Sequence, residues 1–323
     1  MTGDEYGDTK RNVQKHILPL LSKHRIRYVQ IARNGHAQAD GITVLSDTRQ
    51  PRRLFMRGPF TLFNELTSAG TVPQFGSVHK CSLKFKVFPL TEWMKMEIGN
   101  NPCYHAFGYN AEESDRIIKS EEAFTELNKE FAIKPTHYLA LGYNAEETSR
   151  IREAQNYDVE GRIGFYPLQE WGWTRQDCDE YVYEKTGQRF LRSCCVECPF
   201  ARVTEDSITR WLLHPRRTAR ALLLERISLA LNPKGTLFKN TTLHEILAIP
   251  EAHTIWKHYE SLLTRLPWAI YRVRRIYTAK GKADRCVELI KEGTRSETQS
   301  LLNQADYLIT ETHHDAIYKF KHN

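Results

Sequence analysis

The chain has 323 residues, 41% of them hydrophobic and 26% charged, a globular composition that argues against disorder and against a small disulfide knot. The net charge of +7 is a modest basic excess that suits a polyanionic partner without requiring one. No apolar run approaches the roughly 18 residues of a membrane span, and the opening MTGDEYGDTKRN is too polar for a signal peptide, so a cytoplasmic protein with no membrane partner is expected.

Residues 8–23 carry Val13, Ile17, Leu18, Leu20 and Leu21 at helical spacing. Residues 26–32 (IRYVQIA) alternate and are β-branched, which predicts a strand. Helical patterns recur over 59–66 and 87–98. Short apolar runs at 138–141 and 163–166 predict buried strands. This alternation implies an α/β layer with a mostly parallel sheet over residues 1–202. Beyond it, leucine-rich segments at 203–232, 241–263 and 283–303 predict a mainly helical C-terminal domain, residues 203–323.

A duplication is plain: YHAFGYNAEESDRII begins at Tyr104 and YLALGYNAEETSRIR at Tyr138. Each copy ends an apolar run at Gly108 or Gly142. Asn110 or Asn144 can then cap a helix, with Glu113 or Glu147 closing a capping box. A helix N-terminus with Arg116 or Arg150 one turn in suits a phosphate. Two well-capped helices are the plainer alternative.

Residues 193–200 read SCCVECPF. With seven cysteines in a chain read as cytosolic, a grouped set points to metal, cluster or thiol chemistry. Cys194, Cys195 and Cys198 sit within one turn, and Cys81 is the best remote candidate to join them. An iron–sulfur or zinc site, a redox dithiol, and simple buried cysteines all remain open. Cys103, Cys178 and Cys286 stand alone and read as structural. Trp171 and Trp173 are expected to pack the core. Asp4, Glu5 and Asp8 are either solvated acids or approach Mg²⁺ or ribose.

Two C-terminal stretches are basic. One holds Arg216, Arg217, Arg220 and Arg226. The other holds Arg265, Arg272, Arg274, Arg275, Lys280, Lys282 and Arg285, interleaved with Trp268, Tyr271 and Tyr277. Cations on phosphates and rings on unpaired bases make tRNA or DNA a candidate partner. A solvated helical face is the alternative.

Several of these segments together resemble one family. HKCSLKFKVFPL (79–90), the Gly142–Arg150 element and YPLQEWGWTRQDCDEYVYEKTGQRFLRSCCVECPF (166–200) are similar to blocks of phosphoadenosine phosphosulfate reductase-like proteins, in the same order. These belong to the PP-loop, or adenine nucleotide alpha hydrolase-like, superfamily. The resemblance covers roughly residues 1–235. It implies a Rossmann-like parallel sheet, an adenine nucleotide with Mg²⁺, and adenylation or sulfur-transfer chemistry, in some members with a cysteine-bound iron–sulfur cluster. It also implies Lys86 and the residues of the two repeats as nucleotide- or phosphate-binding groups, and Cys81, Cys194, Cys195 and Cys198 as metal ligands.

Two features depart from the family. No Ser-Gly-Gly-x-Asp-Ser loop is found, and residues 1–8 look like the segment after strand two, so the first strand and PP-loop are expected to lie upstream, to have been lost, or to come from a partner. The chain ends KFKHN, without the Cys-Gly-x-His nucleophile of sulfonucleotide reductases, so true reductase activity is not expected. Activity of this chain alone is doubtful on these grounds. The alternative is a non-catalytic module with structural zinc, a vestigial nucleotide site and a nucleic-acid or protein partner.

Overall fold

The computed structural model describes residues 2–73, 80–97, 103–107, 137–141, 162–165, 167–191, 193–201, 203–277, 283–304, 307–312 and 315–320. The fold is mixed α/β. Helix α1 (Gly7–Asn12) runs through a π-helical turn (Val13–Ile17) into α2 (Leu18–Lys23). Pro19 explains the widened turn: it has no N–H to return to the carbonyl four residues back. The same device recurs where α4 (Lys80–Ser82) passes through a π turn (Leu83–Val87) into α5 (Phe88–Glu97), with Pro89 just beyond it. Between these helices, strands β1 (Tyr28–Arg33) and β2 (Ile42–Thr48) form an antiparallel pair with a bulge at Gln30/Ile31. Helix α3 (Leu62–Ala69) is capped by Thr61, whose hydroxyl accepts from Asn64 N–H, and stops at left-handed Gly70.

Strands β3 (Cys103–Phe107), β4 (His137–Leu141) and β5 (Arg162–Phe165) form a parallel sheet in sequential order. Phe107 is level with Leu141, so β3 and β4 end side by side. Helices α6 (Pro167–Glu170) and α7 (Arg175–Thr186) follow, the latter opened by a Thr174/Asp177 capping box. The strand predicted over 26–32 is present but pairs with β2, outside the parallel sheet.

Helices α8 (Glu205–Leu213), α9 (Pro215–Leu231), α10 (Leu243–Ile246) and α11 (His253–Arg265) match the expected helical stretch. The rest corrects it. Strands β6 (Trp268–Tyr277) and β7 (Ala283–Gly293) make an antiparallel hairpin, and helix α12 (Arg295–Gln304) starts only after it. A second hairpin pairs β8 (Tyr307–Thr312) with β9 (Asp315–Phe320). Residues 283–293, read as the start of a helix, lie in a strand; pairing along β6 outweighs local propensity.

The hydrophobic core joins residues on both sides of position 202. Tyr6, Leu62, Phe85 and Val196 pack with Trp211, Leu222, Leu224, Leu237, Leu247, Ile255 and Leu263 in one cluster. Helix α9 is the central element, and its Glu225 is also buried. That carboxylate accepts the N–H groups of Leu237 at 2.7 Å and Leu243 at 2.8 Å. It thereby satisfies the loop before α10 and the first turn of that short helix.

Candidate cysteine centre

The loop at 193–201 is held by the opening segment of the chain. Glu5 bridges Cys195 in antiparallel fashion, and Val196 N–H donates to Asp4 carbonyl at 3.1 Å. The loop turns tightly, with Cys198 N–H on Cys195 carbonyl at 3.2 Å and Ala201 N–H on Cys198 carbonyl at 3.1 Å. Val196 anchors it in the core.

Cys81 reaches this loop from the start of α4. Phe85, one turn on, is buried and stacks on Phe60 with centroids 6.0 Å apart. Lys84 binds Glu65 of α3, which also pairs with buried Arg33 of β1 at 2.9 Å. These contacts fix the helix so that Cys81 faces the loop. Burial pushes the Cys81 thiol up, and the charge of Cys198 pushes it further. Burial also raises Cys195 and Cys198. The ammonium of Lys86, an exposed residue, opposes the shift at all three sulfurs. Cys81 and Cys198 therefore share one electrostatic neighbourhood, and Lys86 acts on both and on Cys195.

Cys194 faces elsewhere. Arg210 Nη1 lies 3.6 Å from its sulfur, the Arg210 guanidinium sits 4.0 Å over the Tyr6 ring, and Arg210 pairs with Asp8 at 2.8 Å. Burial, then the nearby Cys194 charge, raises the Tyr6 phenol well above its ordinary range. Two neighbouring cysteines thus point into different surroundings, which splits the four candidates three to one.

Behind the loop lies a buried charge cluster that the sequence did not reveal. Asp4 and Glu197 are 4% and 3% exposed. Asp4 Oδ2 accepts Phe63 N–H at 3.0 Å and Oδ1 lies 3.4 Å from Arg220. Arg220 also stacks 4.0 Å over Phe63, and Arg217 donates to Glu5 carbonyl. Burial pushes both carboxyls up, the Asp4 charge adds to the rise at Glu197, and Arg220 pulls both the other way. Asp4 is therefore not a solvated acid. Nor do Arg217 and Arg220 belong to an open basic face; both are spent on the opening segment. Arg226 sits 5.4 Å over Trp268. A charge pattern on one helix carries no sign of partners some two hundred positions away, so sequence reading missed them.

Other expectations fare variously. Trp171 is 61% exposed, so it does not pack the core; its ring meets Trp173, which in turn meets Tyr181. Arg272 pairs with Glu288 across the β6–β7 hairpin at 3.2 Å. Arg274 and Arg275 lie on β6 opposite Cys286 and Arg285. Gly108, Glu113, Arg116, Gly142, Glu147, Arg150, Lys280 and Lys282 lie outside the described residues.

Chemically, three thiols and an adjacent cation suit a thiophilic metal or cluster. Among the described residues no three His, Cys, Asp or Glu side chains come together at the spacing that one metal ion needs. A single zinc holds its sulfurs about 2.3 Å from itself. A cluster spreads its thiolates over separate irons. No described helix is long and apolar enough to cross a membrane. Comparison with protein-family models, with curated proteins and with solved structures gave no match.

Proposed function

We propose that this chain is a PP-loop-type protein similar to phosphoadenosine phosphosulfate reductase, acting in nucleotide-dependent activation or sulfur transfer at a cysteine-ligated centre. The observation that carries this reading is the proximity of Cys81 to Cys198, with Lys86 acting on both of these thiols and on Cys195. A Rossmann-like placement of the nucleotide is supported by the parallel strands β3 and β4. They end level at Phe107 and Leu141, and the two glycine–asparagine–glutamate repeats begin directly after them. Nucleotides favour the carboxyl ends of such strands.

In this reading Cys81, Cys195 and Cys198 hold an iron–sulfur cluster, with zinc as the alternative metal and Cys194 as the reserve ligand. A cluster held by three cysteines leaves one iron able to carry sulfide or substrate. The chain's own residues do the rest. Asp4 and Glu5 fix the loop, Phe85 and Glu65 fix the helix bearing Cys81, and Lys86 offers a positive charge to an anionic substrate arriving at the thiols. tRNA or DNA is the substrate class favoured by the basic excess.

The test is anaerobic purification followed by iron, acid-labile sulfide and visible absorption measurements. Iron with matching sulfide and a broad visible band is expected. Colourless, metal-free protein defeats the reading. Tight zinc without iron turns it to a binding module for nucleic acid or protein.

A further inference from the structure

A cleft of about 350 Å³ opens immediately beyond the cysteine loop, lined among others by Pro199, Phe200, Val203, Phe238, Lys239 and Thr241. Pro199 is the residue after Cys198, so the floor of the cleft is continuous with the cysteine turn. The cleft is shallow and open to solvent. Its two walls are built differently. One is the exposed edge of the loop, with Phe200 38% and Val203 45% exposed. The other is a rigid turn on the core: Phe238 is 4% exposed and bridges Thr241, and Thr236 donates to Phe238 carbonyl at 2.8 Å.

That turn holds Asn240 at φ 67°, the left-handed region that asparagine tolerates better than most residues. Thr241 donates to Glu245 at 2.9 Å, tying the turn to the capping box of α10. Lys239, between Phe238 and Asn240, is thus carried on a fixed backbone with its side chain in solvent. The cleft combines aromatic and aliphatic walls with a positively charged rim.

Aromatic faces accept a flat π-system of any identity, and a lysine beside them selects one that carries an anion. We propose that this cleft is a binding site for a nucleotide, its base against the exposed Phe200 ring and its phosphate on Lys239. The base then lies next to the Cys195–Cys198 turn, where an acceptor of sulfur has to be. The inference rests on the function proposed above for the cysteines, but the site itself is defined by the cleft alone. The nucleotide is either free or one residue of a single strand, and the two sources share this chemistry.

The experiment titrates the full-length protein with uridine monophosphate and with oligo-uridine, probes that avoid an adenine-selective site. Phe200→Ala and Lys239→Glu, both at exposed positions, are compared with Lys239→Arg; melting curves and metal content are recorded for each. Each damaging change should weaken binding about tenfold, in line with one lost stacking or phosphate contact. Lys239→Arg should retain binding. Equal occupancy by the monophosphate identifies a free nucleotide, and binding of the oligomer alone identifies a strand. Absence of binding by both probes, or binding indifferent to both Phe200→Ala and Lys239→Glu, overturns the site. Loss of metal with intact nucleotide binding defeats the proposed cysteine chemistry and leaves the cleft standing.

Discussion

The hydroxyl of Thr2 lies 3.3 Å from the sulfur of Cys195, across 193 positions of sequence. The contact is one of several by which the opening residues clamp the cysteine loop. Because Val196 and Asp4 are joined by a backbone bond and Asp4 by a side-chain bond to α3, the loop, the opening segment and α3 form one unit.

Asp4→Ala should therefore be costly. It removes the acceptor of Phe63 N–H and leaves Arg220 without its carboxylate in a half-buried position. Breaking such a pair costs about 3 kcal/mol. Asp4→Asn should cost less, since an amide oxygen still accepts the N–H and Glu197 loses a neighbouring negative charge. Urea unfolding of the two variants measures the difference.

Cysteine replacements separate ligand from bystander. Cys81→Ser and Cys198→Ser should each strip most of the bound iron, while Cys178→Ser should leave it unchanged. Cys178 lies on α7, and its raised thiol has burial and the acids Asp179 and Asp177 as causes. Cys194→Ser should retain iron, because that sulfur faces Arg210. Iron assays on anaerobically purified variants check the pattern, and iron lost equally from all four would contradict it.

The thiol shifts give a pH dependence. Folded thiols raised above the ordinary range stay protonated at neutral pH, so metal-free protein should alkylate slowly at Cys81, Cys195 and Cys198 at pH 7.5. Rates should climb as pH passes 9. Lys86→Ala removes the cation that opposes these shifts and should move each curve to higher pH. Metal loading should likewise improve with pH, since a bound metal displaces the protons. Mass spectrometry of iodoacetamide-treated protein resolves each site.

Glu225 supplies a stability test. Burial raises its carboxyl to about 7, against three backbone N–H donors that pull it down. An acid raised in the folded state favours folding in its protonated form. Its stabilising effect is complete below the unfolded pKa, near 4.5, and fades as pH rises to about 7. The loss is on the order of 3 kcal/mol. Glu225→Gln cannot ionise, so its stability should fall less over that interval than wild type's. Denaturant curves at pH 5 and pH 8 compare the two.

A core truncation tests whether α9 anchors the shared core. Leu224 is 0% exposed, and Leu224→Ala should destabilise by about 3 kcal/mol. If the core is one cooperative unit, tryptophan fluorescence and far-UV circular dichroism should report the same transition.

Sequence alone determined the elements whose signals are local. The helices at 205–231 and 253–265 follow from leucine spacing, and β4 from a short apolar run. The grouping of Cys195 with Cys198 needs only a turn. What tertiary structure decided is everything that depends on distant partners. Pairing with β6 made a strand of 283–293, and the direction of each side chain separated Cys194 from Cys195. Burial turned Asp4, Arg217 and Arg220 from surface charges into the frame behind the cysteine loop. Local conformational preferences reach a few residues along the chain. Burial and ion pairing depend on which surfaces meet, and only the folded chain fixes that.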